Sequence, residues 1–148
     1  METRIKEYGY DRESVSAGIV HIGVGNFHRA HEEFYTNRLL EDVSQHGWGI
    51  CGVMLLPQDE RLYKALKAQD GQYTLTVCGR DGKDWTYRIG SLVELLWGVD
   101  NQEAVLRRIA DRDIRIITLT ITEGGYNIAK DTGEFMFDNA QVEHDLQN

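Results

Sequence analysis

The sequence predicts an α/β fold: a mainly parallel sheet flanked by helices, with a small hairpin inserted. Three observations carry that expectation. Short runs of aliphatic and β-branched residues alternate with stretches whose apolar residues recur at helical spacing, the pattern of β-α-β units. The first run ends in a glycine turn that opens directly into a helical pattern, Gly23-Val24-Gly25-Asn26-Phe27-His28. The composition, 41% apolar and 27% charged over 148 residues, is that of one globular domain able to bury a core.

Residues 1–17 are polar and mixed, and are expected as an arm or irregular lead-in to a single unit over residues 18–148. Residues 18–25 read as a short buried strand with one polar blemish, His21. From residue 26 to about 43, Phe27, Ala30, Phe34, Leu39 and Leu40 mark a helix, which Gly47 would cap. Residues 48–56 read as a second buried strand, stopped by Pro57. A helix is expected over residues 59–68, with Leu62, Ala65 and Leu66 on its inner face. Residues 72–77 alternate, residues 80–84 turn, and residues 85–89 return as the second arm of a hairpin. Residues 91–99 fit a strand or a helix. Asp100 and Glu103 form a reciprocal capping signal for a helix through Ala110. Residues 114–122 (IRIITLTIT) are the clearest central strand, and periodicity fades after Tyr126.

A formal charge of −8 argues against a nucleic-acid partner, whose usual signature is a basic face. No stretch is long and apolar enough to span a bilayer, so no membrane partner is expected. Cys51 and Cys78 give neither a disulfide framework nor metal spacing, and read as reduced core thiols of a cytoplasmic protein.

The glycine turn carries the sharpest chemistry. Gly23 permits a tight turn, Gly25 lets a pyrophosphate approach the backbone, and the amides of Asn26, Phe27 and His28 would point at the phosphates. This is the start of a Rossmann-type dinucleotide fingerprint. Its third position, normally Gly or Ala, is His28, which must turn outward or hold the helix away from the strand. A strand-to-helix turn with no ligand is the competing reading. Asp59, beyond the second strand, is placed to take the adenosine ribose hydroxyls, or else to cap the next helix. An acidic group there would repel a 2′-phosphate, favouring NAD over NADP. Thr118, Thr120 and Thr122 share one face of the late strand, and Glu123 leaves its C-terminal end as a polar wall of a nicotinamide pocket or as a plain loop carboxylate. His28 and His31 lie three apart with Glu32 beside them, but no HExxH pattern or thiol cluster is present, and no metal is expected. His21 reads as a packed or edge histidine rather than a base.

The run from His21 to His31 (HIGVGNFHRAH) resembles the fingerprint of the polyol-specific long-chain dehydrogenases, among them mannitol 2-dehydrogenases, fructuronate reductases and tagaturonate reductases. WGICGVMLLPQD at residues 48–59, QDGQYTLTV at 69–77 and LTITEGGY at 119–126 are similar to the same family in the same order, as are the helix over residues 100–110 and Thr132-Gly133-Glu134-Phe135. The resemblance covers nearly everything from Gly18 onward. It implies an NAD-dependent, metal-independent oxidoreductase that moves a hydride between the cofactor and a sugar alcohol or hexonate and its keto form. By resemblance the cofactor-binding residues are Gly23, Gly25, Asn26, Phe27 and Asp59, with Glu123 near the nicotinamide. The implied acid/base lysine, with its supporting asparagine and histidine, belongs to a helical second domain that nothing here matches, so no catalytic residue is assigned. Family members are about three times this length. The chain is therefore expected to be truncated, supplying the cofactor-binding half, with weak or no turnover alone. An apolar surface left exposed where the second domain would sit is a cue for self-association. A nucleotide-binding remnant without catalysis is the alternative; an inert α/β fragment and methyl transfer on the same fold are further ones.

Overall fold

A computed structural model describes residues 5–147, the side chains of Glu123 and Gln141 excepted. In chain order the strands are β1 (Ile5–Lys6), β2 (Ala17–Ile22), β3 (Gly49–Met54), β4 (Tyr73–Cys78), β5 (Asp84–Ile89), β6 (Leu92–Trp97) and β7 (Ile116–Leu119). The α-helices are α1 (Asn26–Ala30), α2 (Glu32–Leu39), α3 (Glu60–Ala68), α4 (Gln102–Ile109) and α5 (Ala140–Gln147). Strands β6-β3-β2-β7, in that order, form one parallel sheet. Each parallel neighbour needs a crossover, and helices supply them: α1 and α2 between β2 and β3, α3 between β3 and β6, α4 between β6 and β7. This is the α/β architecture expected, a Rossmann-type sheet flanked by helices.

Both faces of the sheet are covered, which is why β2 and β3 read as near-continuous apolar runs. On one face Ile19, Ile50, Met54 and Leu92 pack with Leu66 of α3. On the other, Val20, Cys51 and Val53 pack with Val105 of α4. Burial of Cys51 pushes its thiol up to about 12, so it is an inert core group, while Cys78 is exposed at the end of β4 and is not a core thiol.

The expected hairpin is present, β4 pairing antiparallel with β5, and Gly82 turns it at φ +75°. The lead-in is more ordered than its composition suggests. β1 pairs parallel with β5, Tyr10 is buried with its hydroxyl donating to Asn37, and Arg12 donates to the carbonyls of Gly90, Asp70 and Leu92. The ambiguous residues 91–99 hold strand β6.

Other local expectations are corrected. The first helix breaks at His31 (φ −121°, ψ −76°), just before Glu32 turns to His21 and Glu33 to His28, and it stops at Leu39. Val43–Trp48 is a 3-10 segment, and Gly47 does not adopt the left-handed conformation of a helix cap. Asn101, not Asp100, caps α4 by accepting from the Ala104 amide, while Glu103 pairs forward with Arg107. The late strand is short and lies at the edge of the sheet rather than its centre, with Ile116, Ile117 and Leu119 exposed. Its apolar sequence reflects strand propensity without a second neighbour among the described residues.

Candidate functional site

Chain order in the parallel sheet reverses between β2 and β7, so the crevice beyond their C-terminal ends is its topological switch point, where such sheets bind ligands. Three segments leave the sheet along this edge: the glycine turn after β2, the residues up to Asp59 after β3, and the residues from Thr120 to Tyr126 after β7. Phe27, Leu119, Thr120, Ile121 and Tyr126 line an open cleft of about 340 Å³ there.

The two glycines of the turn are required for different reasons. Gly23 has φ +102°, and a Cβ would stand 3.2 Å from the Thr120 carbonyl oxygen, so the fold itself selects glycine. Gly25 has an extended φ of −93°, and a Cβ there would meet nothing nearer than the Gly23 carbonyl at 3.9 Å. The fold leaves that space open, and a side chain would fill it. Such a cradle fits close approach of a pyrophosphate to the backbone. The first amides of α1, those of Asn26, Phe27 and His28, take no acceptor among the described residues. Asn26 accepts a hydrogen bond from Arg29, and Phe27 is two-thirds exposed, its ring stacked on His31 at 4.3 Å.

Asp59 ends the 3-10 turn Pro57–Asp59 at the N-cap position of α3, yet its side chain makes no capping hydrogen bond. The backbone of Glu123 enters the 3-10 turn Glu123–Tyr126; its side chain lies outside the described structure.

Beneath the turn lies a polar network that the sequence reading did not assemble. His28, at the third fingerprint position, is buried rather than turned outward, and its ring stacks on His21 with centroids 3.5 Å apart and planes within 11°. His21 Nδ1 lies 2.8 Å from Thr118 Oγ1 and 3.0 Å from Glu32 Oε2, and Thr118 donates to Glu32 at 2.9 Å. Glu33, fully buried, has its Oε1 2.8 Å from His28 Nε2 but out of line for a hydrogen bond. Burial pulls the His28 imidazole down, but the carboxylates of Glu32 and Glu33 outweigh it and hold it above its usual value. Burial likewise pushes Glu32 up, and its contacts with His21, His28 and Thr118 reverse that, holding it well below the carboxylate range.

The sequence paired His28 with His31, whereas the fold pairs it with His21; His31 bonds instead to the Phe27 carbonyl. His21, His28 and Glu32 bring ligand-type atoms within 4.8 Å of one another. The two rings lie face to face, so their in-plane lone pairs run side by side instead of converging as a metal requires. The signal that could have revealed the network was the recurrence of polar residues on one face of apolar strands: His21 in β2, Thr118 in β7 and Thr120 just beyond it.

Comparison with known proteins agrees with this architecture. Residues 17–146 match the mannitol dehydrogenase Rossmann domain. A polyol:NADP oxidoreductase of Gluconobacter oxydans is 47% identical over 94% of the chain, and a mannitol 2-dehydrogenase of Phaeosphaeria nodorum 42% identical over 93%. The mannitol 2-dehydrogenase of Pseudomonas fluorescens, solved as a ternary complex with NAD and D-mannitol, superimposes with a TM-score of 0.86 at 40% identity over 97% of the chain. A substrate-free D-sorbitol dehydrogenase gives 0.84 at 42% identity. The chain spans 29% and 24% of the lengths of the two sequence relatives, and 29% and 30% of the two solved chains, in the order named. With its sheet order, glycine turn and matched residues taken together, the chain belongs to the mannitol dehydrogenase family and carries that family's Rossmann domain.

Proposed function

We propose that this chain is the NAD-binding half of a cytoplasmic oxidoreductase that interconverts a sugar alcohol or hexonate with its keto form. The observation that carries the proposal is the open space at Gly25, at the switch point of a parallel sheet, where the protein needs no glycine but a bound pyrophosphate would. When bound, the nicotinamide supplies a hydride acceptor or donor. In this reading the glycine turn and the amides of Asn26, Phe27 and His28 hold the phosphates, and Asp59 takes the adenosine ribose hydroxyls. Phe27 walls the cleft beside β7, with Glu123 on the nicotinamide side. The acid/base chemistry lies with residues outside this chain, which alone turns over poorly or not at all.

NAD is favoured over NADP because Asp59 is acidic and free of a capping bond, although the Gluconobacter relative is named for NADP. Among the described residues no helix is long and apolar enough to cross a membrane. The exposed Ile116, Ile117 and Leu119 of β7 support a further contact along that edge, with more polypeptide or with a second copy. Titration with NADH and NADPH tests the reading: saturable NADH binding supports it, and a folded chain with no affinity for either rejects it. A nucleotide-binding module without chemistry would bind equally. Turnover of mannitol or fructuronate by a longer chain that retains these residues separates the two.

A further inference from the structure

The Gly23 carbonyl is held from beneath by a side chain. It accepts from the Gly25 amide at 2.7 Å and lies 3.1 Å from His21 Nε2; a carbonyl only accepts, so Nε2 carries a hydrogen. Thr120 Oγ1, on β7's extension and 3.0 Å from the same nitrogen, is a second acceptor for that hydrogen. The other ring nitrogen is fixed by Thr118 and Glu32, and the ring face by His28, so the buried imidazole cannot swing away. All described peptides are trans, and in a trans peptide the N–H points opposite to the carbonyl. Drawing the Gly23 carbonyl onto His21 therefore turns the Val24 N–H to the other side of the turn. That N–H has no acceptor among the described residues.

We infer that His21 is a positioning residue for the cofactor: its Nε2–H fixes the Gly23–Val24 peptide so that the Val24 amide faces the dinucleotide's phosphates. This rests on the NAD-binding reading above and adds to it a residue that touches no ligand itself. The polar blemish in β2 thereby gains a purpose, because an apolar residue at position 21 would leave the carbonyl held by the Gly25 amide alone.

Two substitutions separate the ring's two nitrogens. In His21→Gln the amide nitrogen falls where Nε2 was and can still donate to Gly23. In His21→Asn it falls where Nδ1 was, and the bond to Gly23 is lost. NADH titration and thermal melts are run on both, alongside the amide signals of Val24 and Gly25 in the free proteins. The expected result is NADH affinity for His21→Gln within about threefold of wild type and a loss of about tenfold or more for His21→Asn, at similar melting temperatures. The turn amides should shift in the Asn variant only. Equal affinities for the two variants, or losses that merely follow melting temperature, would overturn the inference. Should wild type bind no NADH, the cofactor reading fails with the positioning role, while shifted turn amides would still establish the brace itself. The imidazole nitrogen spectrum of the unsubstituted protein gives a check independent of variant folding: a hydrogen-free Nε2 at His21 excludes the bond.

Discussion

The imidazoles of His21 and His28 lie face to face, 3.5 Å between centroids, one from the first strand of the parallel sheet and one from the helix that follows it. The pair occupies the space that a glycine at the third fingerprint position would leave for close helix–strand packing. The turn is thus supported by stacked rings and two carboxylates, where the usual fingerprint relies on bare backbone contact. Most of this network is buried, so its charges are coupled to stability.

That coupling gives a pH dependence with two limbs. His28 is protonated more readily in the folded protein, so its stabilisation is full below the ordinary imidazole value of 6.5 and is lost as pH rises through its raised folded value. Glu32 is depressed, so its contribution is full above the ordinary carboxylate value of 4.5 and is lost as pH falls through its lowered folded value. Melting temperature measured from pH 3 to pH 9 should be highest between these two values. His28→Gln should flatten the alkaline limb more than the acid one.

The two glycines of the turn should separate stability from binding. Gly23→Ala places a Cβ at positive φ against a carbonyl and should cost about 1–3 kcal/mol, a drop of several degrees in melting temperature. Gly25→Ala meets open space and should leave the melting temperature within about a degree, since unstrained surface changes cost little. Calorimetry on the two variants checks this contrast without any ligand.

Cofactor preference should follow Asp59. Its carboxylate makes no capping bond, so Asp59→Ser should disturb α3 little while removing the charge that repels a 2′-phosphate. The ratio of NADPH to NADH affinity should rise about tenfold or more, equivalent to roughly 1.4 kcal/mol. An unchanged ratio would place the ribose elsewhere.

The exposed edge of β7 should govern association. Ile117→Lys puts a charge in an exposed apolar stretch of an edge strand, a substitution that blocks edge pairing. Sedimentation velocity should show less self-association for this variant than for wild type at equal concentration. Identical profiles would show that this edge makes no contact between copies.

The parts of the fold set by local pattern were legible in the sequence. Buried strands β2 and β3, the amphipathic helix α3 and the β4–β5 hairpin follow from apolar runs, spacing and turn residues. What was missed depended on tertiary partners. The edge position of β7 cannot be read from Ile and Thr content, because propensity is the same with one neighbour or two. The break at His31 directly precedes Glu32, whose partner Thr118 lies 86 residues away, while Glu33 turns back to His28. At the candidate site, the glycine turn and Asp59 stand on sequence-local signals. The His21–His28–Glu32–Thr118 network joins two strands and two helices, and no single window of sequence contains it.

The most direct test of the account is NADH titration of the wild-type chain and of Gly25→Ala, followed by nicotinamide fluorescence with melting temperatures measured in parallel. Saturable binding by wild type is expected, with a loss of about tenfold or more in the variant at unchanged stability. Binding that is indifferent to Gly25→Ala, or a folded wild-type chain with no NADH affinity, would contradict it.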